Sequence, residues 1–63
     1  MRIIDDEYKG MFKGYMMGKG NCNLKDATAE YDAMVESLNE EQLNEEDADP
    51  IYDAYECMSY WSE

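Results

Sequence analysis

The stretch NLKDATAEYDAMVESLNEEQL, residues 23–43, decides the fold because it contains two separate helix start signals. Asn23 is an N-cap residue ahead of an apolar face with a 3.6-residue period, and this pattern predicts a helix over about 24–38. Asn39, with a glutamine three residues later, has the spacing of a capping box, which predicts a short helix over about 40–46. We therefore expect the chain to turn near Asn39 and not to continue as one long helix.

Helices are also predicted on both sides of this stretch. Apolar side chains at helical spacing indicate a helix over about 3–18. Asp49-Pro50 starts a last helix over about 50–61, because Asp caps well and Pro at the first helical position loses no hydrogen bond. No alternating pattern predicts a strand, so the expected fold is all-α, a small three- to four-helix domain. The side chains predicted to face the core are Ile4, Tyr8, Met11, Phe12, Tyr15, Leu24, Ala27, Tyr31, Met34, Val35, Leu38, Ile51, Ala54, Tyr55, Met58 and Trp61.

The length of 63 residues predicts one acidic helical domain over residues 1–63, with a small core. A chain of this size buries only about 60% of the surface that its unfolded form exposes, which favours completion of the fold by a second copy or a partner. Six Met and six Tyr, among few branched aliphatic residues, are typical of an interface. Gly10 and Gly14 would let a second helix approach closely, and with Met17 they are the predicted self-association residues of a homodimer.

The charges are segregated along the chain. Sixteen Asp and Glu outnumber five Lys and Arg, for a net charge of −11, and all five cations lie within residues 1–25. Direct binding of nucleic acid is not expected, since such affinity comes largely from cations on phosphates. The chain has no His, the commonest general base and metal ligand, and it has no phosphate-loop or nucleophile motif. We therefore expect neither an enzyme nor a cofactor.

Metal, thiol and membrane signals are weak. The twelve residues from Glu45 to Glu56 have carboxylates at EF-hand spacing, but Pro50 stands where that loop requires glycine, and we expect no metal site. Cys22 and Cys57 are expected to be free thiols. No apolar run approaches the roughly 20 residues that cross a bilayer, and no signal peptide is evident. The expected location is cytoplasmic, away from membranes.

The acidic surface is the strongest functional feature of the sequence. Carboxylates at four-residue spacing would present an ordered array that competes for basic grooves, and exposed aromatic side chains would add contacts that salt does not weaken. Trp61 is a candidate anchor of this kind, although its position in the apolar stripe favours the core. The residues predicted to contact a basic protein partner are Asp26, Glu30, Glu36, Glu40, Glu41, Glu45, Glu46, Asp47 and Asp49, with Tyr52 and Tyr60 as aromatic anchors.

In length, charge and predicted helicity the chain resembles, as a class, the small acidic inhibitors encoded by phages and other mobile elements. Some proteins of that class are DNA mimics, which block restriction, CRISPR or repair enzymes. The resemblance implies a non-enzymatic inhibitor of a basic, nucleic-acid-binding host protein. A second interpretation is a dimeric structural or adaptor module whose Met, Tyr and Gly faces mediate self-association or docking. A third is that the acids only keep a small protein in solution.

Overall fold

The computed structural model describes residues 1–62, which form helices joined by short loops. The elements, in chain order, are α1 (Asp6–Lys19), α2 (Leu24–Ser37), α3 (Glu40–Leu43), α4 (Pro50–Ser59) and a 3-10 turn (Tyr60–Ser62). No strand occurs in the described residues, so the predicted all-α fold is confirmed. α1 is the central element, because it packs against both α2 and α4.

Side-chain caps fix where α2, α3 and α4 begin. The Asn23 side chain accepts a hydrogen bond from the backbone N–H of Asp26 at 2.8 Å. Asn39 and Gln42 form both bonds of a capping box, at 2.8 and 3.0 Å. The Asp49 carboxylate accepts from two backbone N–H groups in the first turn of α4. Each cap satisfies donors that a helix N-terminus leaves without an intrahelical partner, so these three helices begin where the capping patterns place them.

α1 begins later than the predicted residue 3, because the preceding residues form a separate turn. The Asp5 backbone N–H donates to the Arg2 carbonyl oxygen at 3.0 Å, and the Asp5 carboxylate accepts from the Arg2 backbone N–H at 2.8 Å. The Arg2 guanidinium closes the same turn as an ion pair with Asp5 at 3.0 Å. At its other end α1 continues one residue past the predicted 18, and Asn21 then adopts a left-handed φ of 55°, a conformation that Asn tolerates well.

α3 is shorter than the predicted range of 40–46. The Asn44 backbone N–H donates to the carbonyl oxygens of both Glu40 and Glu41 at 3.2 Å, and the Glu45 N–H donates to that of Gln42 at 3.4 Å, so the bonding tightens to three-residue spacing and the helix ends. The Ala48 backbone N–H donates to the Met1 carbonyl oxygen at 3.1 Å, which ties the following segment to the start of the chain. α2 and α4 also end early, at Ser37 and Ser59, the latter because its last turn tightens into the 3-10 turn.

The core is small and largely aromatic. Tyr8, Phe12 and Tyr31 form a cluster with ring centroids 5.9, 6.0 and 6.4 Å apart, separations that favour aromatic pairing. The buried Tyr31 hydroxyl donates to the Ile3 carbonyl oxygen at 2.7 Å, which satisfies its polar group. These aromatic rings join α1 to α2. The buried apolar residues are Ile3, Tyr8, Phe12, Met16, Ala27, Tyr31 and Ala54.

The buried row of α1 differs from the predicted stripe. Ile4 and Met11, which were expected to face the core, are 40% and 41% exposed, whereas Ile3 and Met16 are buried. Because Ile3 and Ile4 lie in the turn before α1, helical spacing does not govern which of them points inward. Leu24, at the start of α2, is also exposed and not in the core. The predicted membership of the core is therefore wrong at these positions.

α4 turns toward the core a face that overlaps the predicted one only in part: Ala54 is buried and Met58 packs against the core, as predicted. Ile51 and Tyr55 are exposed, whereas Asp53 and Cys57 are half-buried. The Tyr8 hydroxyl, on a side chain with no exposed surface, donates a short hydrogen bond to the Asp53 carboxylate. A buried hydroxyl needs an acceptor, and this bond turns the Asp53 side of α4 toward α1. Polar pairing thus overrides the apolar periodicity that predicted the face.

The close packing around Gly20 gives a first testable prediction. An alanine Cβ there would lie 2.7 Å from the Met16 carbonyl oxygen, 2.7 Å from Met58 Sδ and 3.0 Å from the Trp61 ring. Gly20→Ala is expected to lower the free energy of unfolding by about 1–3 kcal/mol, as overpacking does. The matched change Gly14→Ala meets nothing within 4 Å and should stabilise α1 by about 0.5–1 kcal/mol. Urea unfolding of both variants checks the pair, and a stabilising Gly20→Ala would contradict this packing.

Candidate functional site

An open groove of about 740 Å³ lies between the C-terminal half of α2, the segment 44–49 and α4. Its floor is formed by the half-buried apolar side chains of Met34, Leu38, Ala48 and Cys57. Each of these side chains also packs against the core, so the floor is held by the same contacts that hold the fold. The floor therefore offers apolar surface at a fixed place on the molecule.

The rim of this groove is acidic. The carboxylates that line it are Glu45, Asp47, Asp49, Asp53 and Glu56, and we call the floor and this rim together the acidic groove. No Lys or Arg lines it. Within residues 1–62 the ion pairs are Arg2–Asp5 and Lys9–Asp6, at 3.0 and 3.9 Å, so none of the rim carboxylates is paired with a cation in the described chain.

The cations of α1 are held elsewhere. Lys9 and Lys13 place their Nζ atoms 5.7 and 5.5 Å from the centroid of the Tyr31 ring, within the range of a cation–π contact. Neither of these lysines lines the acidic groove.

Two of the five rim carboxylates already have structural partners. Asp49 Oδ1 caps α4 by accepting from the backbone N–H groups of Ile51 and Tyr52 at 3.1 and 3.2 Å. Asp53 accepts from Tyr8, as described above. Glu45, Asp47 and Glu56 make no such side-chain bond in the described residues and are exposed. These three are therefore the rim groups that a ligand can engage without disturbing the fold.

The ionisable groups on and beneath the floor are held in their neutral forms. Burial raises the pKa of the Cys57 thiol, and the nearby carboxylates Glu30, Asp53 and Glu56 raise it further. Burial and the hydrogen bond to Asp53 raise the pKa of the Tyr8 hydroxyl far above its usual value. The thiolate is the nucleophilic form of cysteine, so this environment disfavours nucleophilic chemistry at Cys57. The groove is suited to binding cations and apolar groups.

These shifts predict a loss of stability at alkaline pH. Tyr8 and Tyr31 both have a raised pKa in the folded chain, chiefly through burial. Their contribution is complete below the usual tyrosine pKa of about 10 and is lost as the pH rises above it, because the unfolded chain then releases protons that the folded chain retains. We expect the urea midpoint to fall between about pH 9 and pH 11. In the Tyr8→Phe variant the urea midpoint should fall less steeply with pH over this range. An equally steep fall would contradict a contribution of the Tyr8 hydroxyl to the alkaline loss of stability.

The structure divides the predicted contact residues into three sets. Glu45, Asp47, Asp49, Tyr52 and Tyr60 all line the acidic groove, with the two tyrosines 58% and 71% exposed. A separate, smaller depression of about 350 Å³ is lined by Asp26 and Glu30. The remaining predicted residues are exposed and line neither depression; they are Glu36, Glu40, Glu41 and Glu46. The predicted contact residues are therefore divided between two depressions and the open surface.

Trp61 is not a core residue, contrary to its predicted place in the inner stripe. It is 43% exposed and lies against Gly20, where it lines the smaller depression together with Asp26 and Glu30. The physical reason is the 3-10 turn, which changes the direction of the side chain relative to a continued α4.

Asp53, Glu56 and Cys57 belong to the groove but were not among the predicted contact residues. The position of Glu56 could have been predicted from the sequence. Tyr52, Glu56 and Tyr60 are spaced four residues apart, so they share one face of a helix that begins at Pro50. The participation of Met34 and Leu38 has no such signal, because these residues were expected to be fully enclosed.

The predicted self-association residues lie on an open surface. A Cβ at Gly10 or Gly14 would meet nothing within 4 Å, and Met17 is exposed. None of them lines the acidic groove. The surface of α1 that carries them is therefore available for a contact.

The described residues carry few other special features. Cys22 and Cys57 are both free thiols. No three Cys, Asp or Glu side chains of residues 1–62 are grouped so that they could hold a metal ion. Among the same residues no helix has the length and apolar character needed to cross a bilayer.

The fold and the groove together define a small all-α protein with an open, acid-rimmed and apolar-floored groove. Comparison with protein-family models, with curated proteins and with solved structures found no match to this chain.

Proposed function

We propose that this chain is a small, non-enzymatic binding protein that inhibits a basic, nucleic-acid-binding protein by occupying the surface that normally binds phosphates. The observation that carries the proposal is the set of rim carboxylates around the acidic groove, which have no cationic partner in the described chain. Carboxylates left without cations repel one another, which disfavours the compact state. Their arrangement therefore costs stability, a cost that a cationic partner would offset.

The charge distribution supports a partner that recognises polyanions. Asp49, Asp53 and Glu56 follow one another along α4 at about one turn, or roughly 5.4 Å, and Glu45 and Asp47 extend the row into the preceding segment. A net charge of −11 also steers a cationic partner toward the chain over long range. In this proposal the chain acts in the cytoplasm, in the manner of the phage-encoded DNA mimics that it resembles as a class.

Capture from a nuclease-treated bacterial lysate tests the proposal. The tagged chain is washed at low and then at high salt, and the eluted proteins are identified. We expect a basic nucleic-acid-binding protein that high salt releases, because exposed charges are screened beyond about 8 Å at physiological ionic strength. Duplex DNA added to the lysate should compete for the same protein. Only salt-resistant partners, or partners that DNA does not displace, would contradict the proposed function.

A homodimeric adaptor module is a second candidate function. It is favoured by the exposed Gly10, Gly14 and Met17 on α1, since a Cβ added at either glycine would meet no other part of the chain within 4 Å and the surface is open to a second helix. Gly14→Leu is expected to break such a dimer, since a large side chain keeps the two backbones apart. The measurement is the native mass of both forms by light scattering. A native mass equal to that of one chain, in the unsubstituted protein at high concentration, would contradict this candidate.

A further inference from the structure

The acidic groove combines two kinds of surface that fit one kind of occupant. We infer that it takes a single amphipathic, cationic helix of the partner protein, whose apolar stripe packs on the floor and whose Lys or Arg side chains reach the rim. This inference rests on the proposed function and names the element of the partner that the groove recognises.

The floor supplies the contacts that do not depend on charge. Met34 and Leu38 are only half-buried, on a floor continuous with the core. Met adapts its shape to a ligand, because its side chain is unbranched and polarizable. An apolar stripe with residues at i, i+3, i+4 and i+7 is the usual way in which a helix occupies such a groove. A surface that only mimicked a polyanion would not require an apolar floor.

The rim supplies charge complementarity. Glu45 and Asp47 stand on the segment before α4, whereas Glu56 stands on α4 itself, so carboxylates line the groove from two different elements. A helix with cations on both flanks of its apolar stripe would meet acids from both elements. Tyr52 and Tyr60 add exposed rings beside these acids, and an aromatic ring attracts a Lys or Arg side chain placed over its face.

The dimensions of the groove fit a short helical segment. Tyr52 and Tyr60 both line it, and eight residues of α4 span about 12 Å, or roughly two helical turns. A peptide bound as an added β-strand would need the edge of a sheet, and residues 1–62 contain no strand to offer one. A helix of about two turns is therefore the occupant that matches both the length and the backbone chemistry of the site.

A titration with two synthetic peptides of identical composition tests the inference. Both contain only leucine and lysine; one has its leucines at i, i+3, i+4 and i+7, and the other has the same residues in an order without a stripe. Isothermal titration calorimetry with the full chain is expected to show binding of the striped peptide at least about tenfold tighter than that of the unstriped one. Equal affinities would overturn the inference, because charge alone would then account for binding.

Variants of the chain locate the bound peptide. Replacing the three free rim acids (Glu45→Gln, Asp47→Asn, Glu56→Gln) should weaken binding of the striped peptide at least about tenfold. The matched set Asp6→Asn, Glu7→Gln and Asp32→Asn removes the same charge from exposed positions outside the groove and should weaken it by no more than about threefold. Equal losses in the two sets would overturn the assignment to the groove. Circular dichroism of each variant confirms that it is folded.

Other occupants give distinct results. Spermine that binds the chain as tightly as the striped peptide, and displaces it, would overturn the helix in favour of a small polycation. Self-association at high concentration that the rim variant abolishes would overturn it in favour of a second copy. If lysate capture yields a basic protein that DNA displaces but the two peptides bind with equal affinity, the inference of a bound helix fails and the proposed function stands. If capture yields no such protein, the proposed function itself fails.

Discussion

Phe12→Ala is expected to leave most of the chain unfolded at room temperature. Phe12 is fully buried, and its ring centroid lies 5.9 Å from that of Tyr8 and 6.0 Å from that of Tyr31. Removing such a ring costs about 3–5 kcal/mol, whereas a core of this size rarely supplies more than about 3–5 kcal/mol of net stability. The substitution therefore removes an amount comparable with the whole stability of the domain.

Met11→Ala is the matched control, because Met11 is the preceding residue of the same helix and is exposed. Its effect should stay within about 0.5 kcal/mol, as for most surface substitutions. Urea unfolding followed by far-ultraviolet circular dichroism measures both variants. A cooperative transition in Phe12→Ala, with a free energy of unfolding within about 1 kcal/mol of the original chain, would show that the aromatic cluster is not the centre of the core.

Glu45→Lys combined with Glu56→Lys is expected to abolish binding of the captured basic partner and to stabilise the free chain. Both acids line the groove without a cationic partner in residues 1–62. Reversal places repulsive charge against the partner, and like charges brought together cost several kcal/mol. The same change relieves repulsion among the remaining acids. We therefore expect a higher thermal midpoint at low salt, and a smaller gain at high salt.

The control for this reversal is Glu7→Lys with Asp32→Lys, which makes the same change of charge at exposed positions of α1 and α2 outside the groove. It should slow association through weaker steering while the complex still forms. Surface plasmon resonance separates the two effects, since it reports the rate of association and the rate of dissociation. Equal loss of binding in both pairs would mean that net charge, and not the groove, recognises the partner.

The capped helix starts could be predicted because they depend on local chemistry. Asn23, Asn39 and Asp49 each bond to backbone groups no more than three residues away. Both partners of each bond therefore lie within one short stretch of sequence. The path of the segment after α3 depends instead on a hydrogen bond between Ala48 and Met1. No local pattern encodes a hydrogen bond between residues so far apart in the chain.

The face of α4, and with it the groove, could be predicted only in part from periodicity, which placed Ala54 and Met58 correctly. Apolar spacing favoured Ile51 and Tyr55 as inward residues, but the bond from the Tyr8 hydroxyl to Asp53 sets the orientation of this helix. That bond joins residues in two elements distant in sequence. Some of the acids of the groove were predicted from the sequence. The apolar floor was not predicted, because the half-burial of Met34 and Leu38 depends on how much of these two side chains α4 leaves uncovered.

We propose that the acidic groove binds the nucleic-acid-binding surface of a basic partner. The most direct test is a competition titration, in which labelled duplex DNA is bound to the captured partner and this chain is added at several salt concentrations. We expect the chain to displace DNA completely, with a Kd that rises at least about tenfold between about 50 and 200 mM salt. The Glu45→Lys/Glu56→Lys variant should displace none. A stable ternary complex of chain, partner and DNA, or an affinity indifferent to salt, would contradict the account.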